Sequence, residues 1–327
     1  VQPVTKKGAL KNRVWQRFLL ATFKSITGGI QRIDRTKALR LGVNLGRIGY
    51  RVDQRRRQYA LKNLHLAYGD SLTRAERETL ARQVFERWGE STIDFLRIPA
   101  LSPAESAELV TAVEGREHLE AVRSDGRGFI VVTGHLGNFE FLGRWMADQG
   151  VPSTAIVREP SDPAFAAYVR QIREYGGNET LNRGTSPREL LSRLRAGRVV
   201  TLGIDQNATE SFIPFFNVPV GTVTGPAVLA FRTGVALLPA YCVREPDNSY
   251  RIIFDTPIEP ATKEDRDAEI LRLTHAASDS LERMVRRFPD QWLWLHNRWK
   301  SAFDPRNRER WPEDYNYEEL RSRWEGK

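Results

Sequence analysis

Gly128-Phe129-Ile130-Val131-Val132-Thr133-Gly134-His135-Leu136-Gly137-Asn138-Phe139-Glu140 decides how the chain is read. Phe129 to Val132 is a short, unbroken, largely β-branched apolar run, which predicts a strand covered on both faces of a sheet. Gly134 ends it, and Asn138 is a good N-cap for a helix running from Phe139 to Met146. His135 therefore falls in the turn at the C-terminal edge of a strand, where open α/β sheets bind their ligands. Glu140, in the first turn of the following helix, is placed to fold back onto the imidazole, fix its tautomer and raise its basicity. That pairing is the base and orienter of general-base catalysis. The same residues also suit a plain turn histidine and an acidic residue favoured by the helix dipole.

The His-x4-Glu spacing of His135 and Glu140, in the setting Thr-Gly-His-Leu-Gly-Asn-Phe-Glu, resembles the signature of glycerolipid acyltransferases. Among these it is most similar to the late lipid A acyltransferases, the lauroyl and myristoyl transferases. Mycobacterial phosphatidylinositol mannoside acyltransferases share that branch. The resemblance implies an α/β fold with a mainly parallel central sheet flanked by helices and preceded by a helical N-terminal region. It also implies His135 and Glu140 as catalytic residues.

At 327 residues the chain can bury a full core, and 50 Lys and Arg against 41 Asp and Glu give a net charge of +9. That balance suits nucleic acid, an anionic bilayer or an acidic carrier protein. Cys242 is the single cysteine, so no internal disulfide forms; in an apolar run it reads as a core thiol in a reducing compartment. The five histidines lack metal-ligand spacing, so no metal is expected. No apolar run approaches the ~20 residues of a membrane span, and no signal peptide is evident. The chain begins at Val1, so a preceding anchor remains compatible with it.

Residues 1–13 are basic and read as irregular. From Val14 to about Ile33, Trp15, Phe18, Leu19, Phe23, Ile26 and Ile30 recur at helical spacing among Arg17, Lys24 and Arg32. Such a segment suits a helix in a membrane interface or one packed on its own domain. Gly28-Gly29 is expected to weaken or break it. Residues 1–50 are accordingly read as a membrane-associating region and 51–327 as the α/β acyltransferase domain. Thr73-Arg74-Ala75-Glu76, Ser102-Pro103-Ala104-Glu105 and Ser186-Pro187-Arg188-Glu189 read as capping boxes opening helices. Thr154–Val157, Arg198–Ile204, Val235–Val243 and Tyr250–Phe254 read as further strands, and 263–287 as a long amphipathic helix.

The resemblance extends to an arginine after the second strand, matched by Arg158, to an Asp-Gln block matched by Asp205-Gln206, and to a C-terminal Trp-x-Trp-x-x-x-Arg block ending at Arg298. It implies Arg158, Asn138, Asp205, Gln206 and Arg298 as substrate-binding residues. Arg158 would hold a phosphate or polarise the acyl carbonyl, and Asp205 would orient the site or contact the sugar. Phe212-Ile213-Pro214-Phe215-Phe216-Asn217-Val218-Pro219 reads as an aromatic loop. Phe212, Phe215 and Phe216 are its candidate acyl-chain pocket, with a place in the core as the alternative. Asn217 stands where the family usually has Gly, a mild departure because Asn tolerates left-handed geometry.

The reading is acyl transfer from an acyl carrier protein thioester to a hydroxyl of a lipid A precursor or related anionic glycolipid. It would occur at the cytoplasmic face of the inner membrane, with no cofactor beyond acyl-carrier or acyl-CoA as co-substrate. The alternatives are a phosphatidylinositol mannoside acyltransferase using acyl-CoA, a hydrolase in which the base activates water, and a nonenzymatic basic protein binding membrane or nucleic acid. No nucleic-acid motif is present, which disfavours that partner.

Overall fold

The computed structural model describes residues 6–261, 263 and 265–325. Four helices come first: α1 (Lys6–Arg32), α2 (Arg35–Val52), α3 (Gln54–Tyr68) and α4 (Arg74–Arg97). Strands and helices then alternate: α5 (Pro103–Glu108), β1 (Val110–Glu114), α6 (Arg116–Ser124), β2 (Ile130–Thr133), α7 (Phe139–Asp148), β3 (Ser153–Val157), α8 (Pro163–Arg173), β4 (Glu179–Asn182), α9 (Pro187–Arg195) and β5 (Val199–Gly203). The remainder is β6 (Ser211–Phe215), β7 (Val218–Thr222), α10 (Gly225–Thr233), β8 (Leu237–Arg244), β9 (Tyr250–Phe254), α11 (Arg266–Arg287) and α12 (Tyr317–Glu325).

Seven strands form one sheet in the order β1-β9-β8-β2-β5-β3-β4, and β6 and β7 form a separate hairpin. Every neighbouring pair in the large sheet is parallel except β8 with β9. The fold is therefore α/β with a mostly parallel central sheet and a helical N-terminal region, as the alternation of elements predicts. The period-2 rule is visible in β2: Ile130 and Val132 join one hydrophobic cluster, with the hairpin and α10–α11, while Val131 joins the other, with α6 and α7. Both faces are covered, so β2 has no need of polar residues.

Local chemistry sets several boundaries. Thr73 and Ser102 make reciprocal capping boxes with Glu76 and Glu105. Ser186 caps differently: its hydroxyl accepts from Arg188 N, and Glu189 pairs with Arg193 instead of returning to the cap. The helix expected to break at Gly28-Gly29 runs through both glycines, and it includes residues 6–13, read above as irregular. Residues 1–5 lie outside the described residues. Helix α1 is held by packing: Phe23 meets Phe165 and Tyr168 of α8 at 5.0 and 5.9 Å, and Ile30 is buried. That burial offsets the roughly 1 kcal/mol each glycine costs a helix. Helices α2 and α4 approach so closely that a Cβ on Gly89 would lie 2.1 Å from the Gly42 carbonyl oxygen.

Three features were not anticipated. Strands β1 and β4 are short sheet-edge elements of 5 and 4 residues. The stretch 211–222, read as a loop over Phe212–Pro219, is the β6–β7 hairpin, turning through Phe216 (φ 55°) and Asn217 (φ 56°). Two consecutive left-handed residues are what a tight hairpin turn with the native twist requires.

Candidate active site

The β2–β5 register builds the site. Thr133 pairs with Gly203, and Ile204 N donates to the Thr133 carbonyl at 2.9 Å, so the residues just beyond the two strand ends lie side by side. These residues are His135 and Asp205. Asp205 Oδ1 lies 2.8 Å from His135 Nδ1, and its Oδ2 accepts from His135 N at 2.7 Å and from Trp292 Nε1 at 2.9 Å. A carboxylate on Nδ1 selects the tautomer with its proton there and leaves the Nε2 lone pair for a substrate proton. The His135 side chain keeps 23% of its surface exposed, against 3% for Asp205, so the ring reaches solvent while its partner does not.

Burial pulls the imidazole pKa down, but the charge of Asp205 and its hydrogen bond outweigh that, and Glu140 adds to them against Arg173. The net direction is above the ordinary histidine value. Burial pushes Asp205 up, and the charge of His135 with three donated hydrogen bonds more than reverses it, holding the carboxyl well below the usual carboxylate range. Both shifts describe one stabilised ion pair, a base whose protonated form is favoured by its neighbour.

Glu140 does not hold the imidazole as expected. Arg173 at the end of α8 takes both its oxygens, Nε at 3.0 Å from each and Nη2 at 2.6 Å from Oε1. The reason is geometric. The start of α7 directs Glu140 toward the end of α8, whereas β5 delivers Asp205 to the ring directly. Sequence spacing cannot see a partner that arrives through sheet register. Glu140 and Arg173 nevertheless stand near enough to influence the imidazole.

The turn around His135 is fastened from both sides. Leu293 N donates to the His135 carbonyl and Gly137 N to the Gln291 carbonyl, which ties the turn to the tryptophan block. Gly137 has φ +61°, and a Cβ there would lie 2.0 Å from the Cys242 carbonyl oxygen, so only glycine fits. Asn138 caps α7 through Phe141 N at 3.1 Å, and its Nδ2 donates to Tyr250 Oη at 2.7 Å. Tyr250 donates in turn to Asp94 at 2.5 Å, which also accepts from Arg35 and Arg244. Asn138 is thus buried structure rather than a substrate contact, and its cap ties the turn to α2 and α4. Arg173 and Asp94 carried no local sequence signal; Trp292 opens the C-terminal tryptophan block and Tyr250 heads a predicted strand, but nothing nearby in sequence shows the site partners of any of the four.

Other expected site residues separate into rim and core. Arg158 is exposed at the end of β3, on the same sheet edge as His135, and the Gln206 side chain is exposed beside Asp205. Arg298 is fully buried. Its Nη1 donates to the Gln206 and Gly221 carbonyls at 2.7 Å each, and its Nη2 donates to Thr222 Oγ1 at 2.8 Å. Burial depresses its pKa to about 10, with Asp205 opposing. It buttresses the Asp205 turn against the hairpin and cannot reach a phosphate. Arg298→Ala strands those three acceptors and opens a void, so it should cost about 3–5 kcal/mol, read as a lower denaturant midpoint.

Phe212, Phe215 and Phe216 are core as well. Phe215 packs on Trp292 and Trp299 at 5.4 and 5.9 Å, and Phe216 on Tyr68 and Trp294 at 5.3 and 5.6 Å. The hairpin seals the sheet face and offers no open slot. His296, which can be mistaken for a second catalyst, accepts from Asn207 N at 3.4 Å through Nε2. A cavity of about 470 Å³, lined by Arg123, Arg127, Ser153 and Arg198 among others, lies at the opposite sheet edge, where β2, β3 and β5 begin.

An imidazole oriented by a buried carboxylate at the C-terminal edge of a parallel sheet has the chemistry of a general base. Residues 5–301 match the model of the bacterial lipid A biosynthesis acyltransferase family, so the chain belongs to that family and is an O-acyltransferase. It is 27% identical over 265 residues to a lipid A biosynthesis palmitoleoyltransferase of Escherichia coli, covering 80% of this chain and 84% of the relative. It is also 27% identical over 268 residues to the lipid A biosynthesis lauroyltransferase of that organism, covering 80% and 85%. A phosphatidylinositol mannoside acyltransferase of Mycobacterium tuberculosis is 28% identical over 222 residues, 65% of this chain and 68% of its own length.

Proposed function

We propose that the enzyme moves a fatty acyl group from an acyl carrier protein thioester to a hydroxyl of a lipid A precursor. The observation that carries this is the His135–Asp205 pair, which engages Nδ1 and leaves the ring partly exposed at the sheet edge. His135 takes the proton of the acceptor hydroxyl, and the oxygen forms its bond to the thioester carbonyl carbon. The tetrahedral oxyanion collapses, the carbon–sulfur bond breaks, and the thiolate leaves with the proton His135 had taken. Asp205 stabilises the transient imidazolium. Exposed Arg158, at the same sheet edge, meets an acceptor phosphate or polarises the acyl carbonyl.

A lipid A precursor is favoured over a phosphatidylinositol mannoside because the two Escherichia coli lipid A relatives align over 80% of the chain, against 65% for the Mycobacterium tuberculosis mannoside acyltransferase. The net charge of +9 suits both an acidic carrier and a phosphorylated glycolipid.

The enzyme meets its acceptor at a membrane surface. Residues 6–52 hold twelve Lys and Arg and a single acidic residue, Asp34. Helix α1 exposes Trp15, Phe18, Leu19 and Ile26, and α2 exposes Leu41, Leu45, Ile48 and Val52 on one helical stripe. A basic, aromatic-rich apolar face suits the interface of an anionic bilayer. Among the described residues no helix is long and apolar enough to cross a membrane.

Lipid mass spectrometry tests the proposal. The protein is incubated with acyl-carrier or acyl-CoA donors and with lipid A precursor or phosphatidylinositol mannoside acceptors. One added acyl chain on the lipid A precursor with the carrier donor is the expected product. Acylation of the mannoside alone, or release of free fatty acid with every acceptor, contradicts it.

A further inference from the structure

The apolar surface beside His135 continues away from it. The Phe139 ring stands edge-on to the imidazole at 4.8 Å, and the indole of Trp88 on α4 stacks over Phe139 at 6.4 Å and 26°. Trp88 is 37% exposed, one of the few large apolar side chains open to solvent outside α1 and α2. Its position is fixed: Ser91, one turn on, donates to the Gly137 carbonyl at 3.3 Å, locking α4 to the catalytic turn. Gly89, next to Trp88, is the residue pressed against Gly42 of α2, and Leu41 and Leu45, flanking Gly42, are exposed. Apolar surface therefore leads from the imidazole over two rings toward the outer apolar stripe of α2.

Two stacked rings beside the base carry no charge to hold a phosphate, and their one polar group is the Trp88 indole N–H. They suit a flexible hydrocarbon, and their continuity with the apolar face of α2 gives such a chain a way in from a bilayer. We propose that Phe139 and Trp88 form the hydrocarbon subsite of the enzyme: one substrate chain lies across the two rings, with its carbonyl or hydroxyl end at His135. This rests on the acyl-transfer reading and replaces the hairpin phenylalanines as the site of the chain. The occupant is the fatty chain of the donor or that of the acceptor lipid, which share one chemistry.

The test measures kcat/KM for wild type, Trp88→Ala and Trp88→Gln. One series uses donors from butanoyl to hexadecanoyl thioester on a fixed acceptor; the other uses acceptors of decreasing chain length with a fixed donor. Each methylene that contacts the ring contributes about fourfold in wild type. Trp88→Ala should lose about ten- to a hundredfold with long chains and less than about twofold with the shortest, in one series. The series that shows the slope identifies the occupant. The polar Gln variant is read in the same way should the alanine protein fail to fold. A loss uniform across both series, or no loss, overturns the subsite. Absence of transfer by wild type with every donor and acceptor instead defeats the acyl-transfer reading on which it rests.

Discussion

His135→Ala is expected to lower kcat/KM for acyl transfer by about 10³- to 10⁴-fold while leaving the protein folded, at a cost of about 1.5–3 kcal/mol because buried Asp205 loses its charged partner. General-base catalysis is typically worth about 10²–10⁴-fold. The upper part of that range applies because a sugar hydroxyl is a poor nucleophile until deprotonated. The fold should tolerate the change. The ring is partly exposed, and the main-chain bonds of His135 to Asp205 and Leu293 survive the loss of the side chain. Steady-state kinetics with a thermal melt of the same preparation check both halves of this expectation.

Asp205→Asn should come close behind, with a loss of about 10²- to 10⁴-fold. The carboxylate has three donors to satisfy: the His135 ring, the His135 amide and the Trp292 indole. An asparagine offers one carbonyl oxygen and an NH₂ group, so one donor meets another donor. If the amide oxygen stays with the main chain and Trp292, the imidazole turns its lone pair to the new NH₂ and its proton toward substrate, which is the wrong tautomer for a base. The negative charge that stabilises the imidazolium disappears in either orientation. Because Asp205 is almost fully buried, the variant should also lose about 1.5–3 kcal/mol of stability, the scale of a hydrogen bond to a charged group. Denaturant titration measures that loss separately from the kinetics.

Much of this site is legible in one stretch of sequence, because its logic is local. A β-branched run, a glycine, a histidine and an asparagine cap put His135 at a strand end without reference to the rest of the chain. The identity of its partner is not local. Asp205 is a candidate from its own strand end, but only the pairing of Thr133 with Gly203 brings it to the ring. Glu140 looks like the partner because it is near in sequence; Arg173, an unremarked arginine in an amphipathic helix, takes it away. The hairpin was hidden by Pro214 and Pro219, which argue against a strand. They face each other in a two-stranded ribbon, where each strand has a free edge and a missing donor is tolerated. Arg298 and the three phenylalanines show the converse error. Residues that resemble a family's motif are placed by it near the site, and the structure makes them its buried support.

The pH dependence of kcat/KM for wild type and Asp205→Asn tests the central claim, that His135 is the base and Asp205 tunes it. The base must be neutral to act, so activity falls as pH drops through the imidazole pKa of the free enzyme. With Asp205 present that pKa is raised, so the acid limb of wild type should lie above the ordinary histidine value of 6.5. Without the carboxylate, burial is left to depress it, and the limb of the variant's residual activity should shift to lower pH. An acid limb that stays in the same place in both proteins would contradict the account.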